Sequence, residues 1–226
     1  MTVFELAGGG HCLFTGRGEG DMGHGGRHVS EVAVAVESRR RAVVDLPWTW
    51  LRQVHSGVVR IVTEPGGCAG TTGDALVTDQ AVCALAVLTA DCAPVVLSSD
   101  EGVVGVAHAG WVGLTAGILE ATVDAMRSLG GSKIDAVIGP CIRPACYEFG
   151  TDDLDRVATG LGPEVKGCTA GGGPALDLAA GVRICLARAG VDQVADTGTC
   201  TACATGQYFS WRARHERERQ ATVVWR

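Results

Sequence analysis

Four short runs rich in Val and Leu follow one another at 75–78, 83–88, 95–98 and 103–107. Apolar runs of this length without strict alternation read as strands buried on both faces. A sheet covered on both sides needs a layer above it and a layer below it. Helical spacing marks what can supply those layers. Ser30 is placed to cap a helix to about Arg41, with Val32, Ala35, Val36 and Arg40 in register. Residues 114–129 read as one long helix with a stripe of Leu114, Ile118, Ala121, Ala125 and Leu129, ended by Gly130-Gly131. A further helix is expected at 177–189, stopped by Gly190, and further strands at 48–51, 58–62, 134–138, 191–195 and 222–225. Strands and helices are mixed without regular alternation. The expected fold class is therefore an α/β (α+β) sandwich, a mixed β-sheet with flanking helices, in a single domain over residues 1–226.

Length and charge narrow the function. A chain of 226 residues with 46% hydrophobic and 19% charged residues can bury a full core. Its net charge of -6 argues against a nucleic-acid surface, which normally needs a basic face. No basic segment followed by an apolar one opens the sequence, and the longest apolar run, 81–90, is too short to span a bilayer. A cytoplasmic protein without a membrane partner is expected. In that setting the ten cysteines read as thiols, one or a few of them ligands or nucleophiles.

Three segments place good transition-metal ligands at the ends of strand-like runs: Gln53-Val54-His55, Thr89-Ala90-Asp91-Cys92 and Ala107-His108-Ala109-Gly110-Trp111. Two imidazoles and one thiolate suit zinc and leave one position open, as catalytic zinc sites do. Asp91 next to Cys92 is a carboxylate at a strand end. His108 leads through a Gly-containing turn into a helix whose first N–H groups are free for an anion or carbonyl oxygen. The same trio supports two other readings. Cys92 with His108 as its base makes a cysteine hydrolase. Soft sulfur plus imidazole also suits copper, but only His55 and His108 of the six histidines sit in ligand contexts, too few for a four-copper cluster.

Other motifs carry less. Gly18 to Gly23 matches G-x-G-x-x-G but lacks a strand-turn-helix setting. Cys200-Thr201-Ala202-Cys203 is a C-x-x-C that would need Cys141 and Cys146 to make a structural zinc site. The gap between Cys141 and Cys146 is too long for the usual knuckle, so coincidence is the reading. Pro140-Cys141 with Cys146 departs from the P-C-x-x-C of nucleobase deaminases, and His215-Glu216 has no second His after it. Ser210, Arg212 and Arg214 cluster hydroxyl and guanidinium groups suited to phosphate or carboxylate oxygens. The following 215–219 stretch reads as solvated.

Taken together these segments resemble one family over nearly the whole chain, the YfiH-like proteins long labelled multicopper polyphenol oxidases or laccase-domain proteins. The resemblance rests on Phe14-Thr15-Gly16-Arg17, Gln53-Val54-His55, Gly73-Asp74-Ala75, Thr89-Ala90-Asp91-Cys92-Ala93-Pro94, His108-Ala109-Gly110-Trp111, Ile138-Gly139-Pro140-Cys141, Tyr147-Glu148, Cys200-Thr201 and Phe209-Ser210-Trp211-Arg212. It implies a zinc site of His55, Cys92 and His108, with copper as the other metal. It also implies phosphorolysis of adenosine, inosine, guanosine and methylthioadenosine, and deamination of adenosine. Members are linked to peptidoglycan editing as well. Expected catalytic residues are then Asp91, Cys92 and His108, and expected substrate-binding residues Arg17, Gln53, Ser210 and Arg212. The expected partners are a purine nucleoside and phosphate. Three departures stand out: Val112 follows Trp111 where the family has Arg, Glu218-Arg219 replaces Gly-Arg, and Thr15-Gly16-Arg17 replaces Thr-Thr-Arg.

Overall fold

The computed structural model describes residues 3–23 and 30–226, the side chains of 30–33 excepted. In chain order its strands are β1 (Val3–Glu5), β2 (His11–Phe14), β3 (Trp48–Trp50), β4 (Val59–Ile61), β5 (Ala75–Thr78), β6 (Ala84–Thr89) and β7 (Ala93–Ser99). They continue with β8 (Val104–Ala109), β9 (Ile134–Ile138), β10 (Lys166–Cys168), β11 (Pro174–Leu176), β12 (Val194–Asp196) and β13 (Gln220–Trp225). The helices are α1 (Ser30–Val43), α2 (Trp111–Thr115), α3 (Ile118–Ser128), α4 (Thr151–Leu161), α5 (Leu178–Arg188) and α6 (Trp211–Arg214). Two large mixed sheets result, in the orders β1-β2-β13-β6-β3 and β12-β9-β7-β8-β5-β4, beside a small β10-β11 pair.

Period-2 alternation sorts the strand side chains among three interiors. In β6, Leu85 and Val87 enter the space between the two sheets, while Ala84, Ala86 and Leu88 face the other way. Leu76, Val96, Val104 and Val106 of the six-stranded sheet meet Leu85 and Val87 from the opposite side. Its other face, with Ala75, Val77, Val95, Leu97 and Ala107, packs on α3, α4 and α5 through Ile118, Leu119, Val123, Met126, Leu154, Val157, Val182 and Leu186. The outer face of the five-stranded sheet is covered by Val43 at the end of α1, together with Val44, Trp48 and Met22. Each fully buried Leu, Ile or Val adds about 1.5–3 kcal/mol from removal of its surface from water. These runs are buried on both faces, so the expected mixed sandwich with flanking helices is what forms. Among the described residues no helix is long and apolar enough to cross a membrane.

The long helix expected at 114–129 is two helices. Gly117 sits at φ 78, a left-handed conformation that glycine adopts without strain, and the chain turns there between α2 and α3. After that turn the buried face is Ile118, Leu119, Thr122, Val123 and Met126, with Ala125 and Leu129 only half-buried beside it. The strand expected at 191–195 shortens to β12, because Val191 donates its N–H to the Leu186 carbonyl at 2.9 Å and so finishes the α5 terminus. Asp177 caps α5, its carboxylate accepting from the Ala180 N–H at 2.9 Å. The expected Ser30 cap and Val32 contact lie outside the described residues.

A candidate metal centre beside an arginine-bearing cavity

Sheet register brings the three ligand segments together. β7 and β8 run antiparallel with Ala93 opposite Ala109 and Pro94 opposite His108, so Cys92, one residue before β7, lies beside the end of β8. β5 pairs on the other side of β8 with Ala75 opposite Ala107, which sets Asp74 next to His108. His55 arrives from the turn before β4. The ligating atoms of His55, Cys92 and His108 all lie within 4.8 Å of one another. Cys92 Sγ is 3.7 Å from His55 Nε2, and the two imidazole rings meet edge-on with centroids 4.7 Å apart.

Asp74 organises this cluster. It is fully buried, and its carboxylate accepts the backbone N–H groups of Val54 (3.1 Å), His55 (3.0 Å) and Ser56 (2.7 Å) and the Ser56 hydroxyl (2.7 Å). Three successive N–H groups closing on one anion form a nest, and closing it holds His55 at φ 59. Asp74 Oδ1 also lies 2.9 Å from His108 Nδ1. With that nitrogen donating to the carboxylate, Nε2 of His108 is the atom left to ligate, the arrangement usual for metal-binding histidines. Burial pushes the Asp74 carboxyl up, but the hydrogen bonds from His108 and Ser56 outweigh it and hold the group well below the ordinary carboxylate range.

The charge state of the other groups follows. Burial alone would raise the Cys92 thiol, yet the charge of His108 and hydrogen bonds from both histidines bring it down to about 6. Burial would lower His108, yet Cys92 and Asp74 lift it to about 9. A thiolate and an imidazolium therefore face each other in the metal-free protein. Gly110 leaves the space around them clear. A Cβ there would lie 2.8 Å from His55 Cδ2 and 3.1 Å from Cys92 Sγ. Two imidazoles, an ionised thiol, a carboxylate fixing the tautomer and a side-chain-free approach fit a zinc or copper ion.

The cluster borders a cavity of about 1010 Å³. Trp111, Tyr147 and Trp211 give it aromatic walls, and Arg212, Arg217 and Arg219 give it positive charge. Arg212 stacks on Tyr147 at 4.7 Å and donates to the Glu148 carbonyl at 2.6 Å, leaving other guanidinium N–H groups free. Arg219 is partly occupied by the carbonyls of Glu216 and Glu218. The Arg217 side chain is exposed and has no hydrogen-bond or ion-pair partner among the described residues. Thr89 Oγ1 is buried in the cavity wall with no protein partner. Val112, 38% exposed, stands in the lining where the family pattern has Arg.

The expected site residues divide. His55, Cys92, His108, Asp91, Gln53 and Arg212 all line the cavity. Asp91 sits at φ 101, with its oxygens accepting the Thr201 hydroxyl (2.7 Å) and the Arg212 backbone N–H (2.6 Å). Backbone strain of this kind gathers where the surroundings impose a functional geometry. Gln53 clips both the N–H and the carbonyl of Leu88, at 2.8 and 2.7 Å. Arg17 and Ser210 are not part of the lining. Arg17 stacks on Phe209, bonds the Tyr208 carbonyl and pairs with Glu216, while the buried Ser210 hydroxyl caps α6 by accepting from Ala213. Both side chains are committed to holding the C-terminal segment. Asp74 and Arg217 are the residues that reading the sequence does not single out. The available signal for Asp74 is an acid between Gly73 and the apolar run Ala75-Leu76-Val77, since a carboxylate there must be satisfied internally.

Fold and site define a class: layered mixed sheets with a His–Cys–His donor set on the wall of a polar cavity. The chain belongs to the family described as multi-copper polyphenol oxidoreductase laccase, which matches residues 17–226, in keeping with the YfiH-like resemblance. It is 37% identical to purine nucleoside phosphorylase ORF3 of Streptomyces griseus, over 97% of this chain and 96% of that one. It is 41% identical to purine nucleoside phosphorylase SCO2081 of Streptomyces coelicolor, over 78% of this chain and 74% of the relative. Among solved structures it is similar to Neisseria meningitidis protein NMB0706, with TM-score 0.84 and 30% identity over 100% and 98% of the two chains. It is also similar to Bacillus licheniformis YfiH, with TM-score 0.81 and 27% identity over 96% and 92%.

Proposed function

We propose that this protein is a zinc-dependent purine nucleoside phosphorylase acting on adenosine, inosine, guanosine and methylthioadenosine, and that it also deaminates adenosine. One observation carries the reading: a His55–Cys92–His108 donor set opens on a cavity that holds both aromatic faces and guanidinium groups, with Arg217 unpartnered among the described residues. The names of the Streptomyces relatives support it. Zinc bound by these three residues supplies a Lewis-acidic centre with one open position.

The chain's own residues do the rest. Arg217 and Arg212 bind the phosphate dianion and aim an oxygen at C1′ of the ribose. Trp111, Tyr147 and Trp211 offer faces for the purine. A bond forms between phosphate oxygen and C1′ as the C1′–N9 bond breaks; the electron pair leaves with the base, which takes up a proton. Asp91 lines the cavity, its oxygens accepting from the Thr201 hydroxyl and the Arg212 backbone N–H, and is placed to pass that proton to the base. In deamination, water adds at C6, ammonia leaves, and Asp91 moves a proton between them.

A second reading is favoured by one observation, the Cys92 sulfur set within 4.8 Å of ring nitrogens of both His55 and His108, whose charge and hydrogen bonds bring the thiol down. Such a pair is also what a cysteine hydrolase of cell-wall precursors needs. Chelator separates the two. Adenosine turnover that chelator abolishes, zinc restores and Cys92→Ala removes supports the zinc phosphorylase. Turnover that survives chelator and falls with iodoacetamide moves the assignment to the thiol nucleophile. Full activity in Cys92→Ala overturns both.

A further inference from the structure

The C-x-x-C at Cys200 and Cys203 looks coincidental by spacing, because Cys141 and Cys146 are too far apart for a knuckle. The fold answers this by using Cys146 without Cys141. Sulfurs of Cys146, Cys200 and Cys203 lie within 4.8 Å of one another, with Cys146 Sγ 3.3 Å from Cys203 Sγ. Around a tetrahedral zinc with bonds of about 2.3 Å, thiolate sulfurs stand roughly 3.7 Å apart. The Cys146–Cys203 pair lies a few tenths of an ångström inside that value, close enough for small side-chain movements to reach it.

Two pinned turns present the sulfurs. Ala204 N–H donates to the Cys200 carbonyl at 2.9 Å, and Arg214 donates to the carbonyls of Ala202 (3.0 Å) and Thr201 (3.3 Å). Opposite, Cys146 N–H donates to the Arg143 carbonyl at 2.9 Å and Tyr147 N–H to that of Pro144 at 3.0 Å. Cys203 is exposed and Cys146 and Cys200 half-buried, so ions have access.

We propose that Cys146, Cys200 and Cys203 form a second metal site, for a thiophilic cation such as zinc, with water completing the shell. The ion staples together two turns that carry the cavity wall. Thr201, next to Cys200, bonds Asp91 at 2.7 Å, and Tyr147, next to Cys146, stacks on Arg212.

The test is metal stoichiometry, which needs no activity and so stands apart from the nucleoside reading. Full-length protein is reduced, loaded anaerobically with zinc, freed of excess and analysed for metal. Cobalt(II) loading reads the thiolate-to-metal charge-transfer band in parallel. The expected result is two ions per chain, one after either Cys203→Ser or Cys146→Ser, and loss of most of the charge-transfer band in both. Cys92→Ala leaves one ion and most of the band. One ion per chain in the wild type, absent in Cys92→Ala, overturns the proposal. So do two ions that persist in both Cys203→Ser and Cys146→Ser.

Discussion

Among the described residues two sets of three metal-competent donors occur, and they are held by different means. His55, Cys92 and His108 come from separate strand ends, brought together by sheet register, with the buried Asp74 carboxylate fixing two of them. Cys146, Cys200 and Cys203 hang on two turns held by backbone bonds and Arg214, and the buried carboxylate behind them, Asp91, bonds Thr201 rather than a ligand residue. The first set stores cost in place, a buried charge and a left-handed His55, in exchange for a geometry fixed before any ligand arrives. The second set is placed by backbone bonds on two turns, and the proposed ion would tie those turns together. The first arrangement suits chemistry and the second suits stapling.

The largest expected break in that comparison comes from Cys92→Ala. Removing a ligand of the first set would take away the proposed Lewis acid, worth several kcal/mol of transition-state stabilisation, and the expected fall in turnover is about a hundredfold or more. Steady-state assay of zinc-loaded protein measures it, and a loss below tenfold counts against the site. Gly110→Ala comes next. Its Cβ collides with His55 and Cys92, and overpacking of about 1–3 kcal/mol translates into roughly ten- to a hundredfold weaker zinc binding. Competition titration against a chromophoric chelator reads it, while the cysteine set stays unaffected.

Asp74→Asn sharpens the contrast by removing only the support. Loss of such a carboxylate costs about 10–100-fold in metal affinity. It also adds a pH signature. A carboxyl depressed in the folded state stabilises above its unfolded value, about 3.9, and that stability is lost as pH falls further. Chemical denaturation between about pH 4 and 7 should therefore show the variant less stable than wild type, and the gap should narrow on acidification. Zinc affinity at the first set is expected to rise with pH up to about 9, because the proton on His108 must leave. Isothermal titration in two buffers of different ionisation enthalpy measures that proton release, and a flat pH response refutes it. The smallest effect belongs to the phosphate side. Arg217→Ala should raise the KM for phosphate about tenfold, the size of one charged hydrogen bond, and Val112→Arg should lower it by less.

The sequence shows the layers and the ligand trio for physical reasons. Val- and Leu-rich runs cannot rest anywhere but between layers, and Cys92 and His108 stand at the ends of such runs, while His55 stands in the polar turn before β4. What it conceals is pairing across distance. Nothing local says that Asp74 faces both His55 and His108, because register between β5 and β8 decides it. Gly117 is an ordinary residue inside a helical pattern until its φ of 78 splits the helix. Arg17 and Arg217 look alike in composition, yet one is paired with Glu216 and the other is unpaired at the cavity. The Cys146 and Cys200 turns meet only through the tertiary fold.

Incubation of zinc-loaded protein with adenosine, with and without phosphate, followed by liquid chromatography, tests the central claim most directly. The expected result is adenine with ribose 1-phosphate only where phosphate is present, and inosine in both tubes. Adenosine recovered intact from both would contradict it.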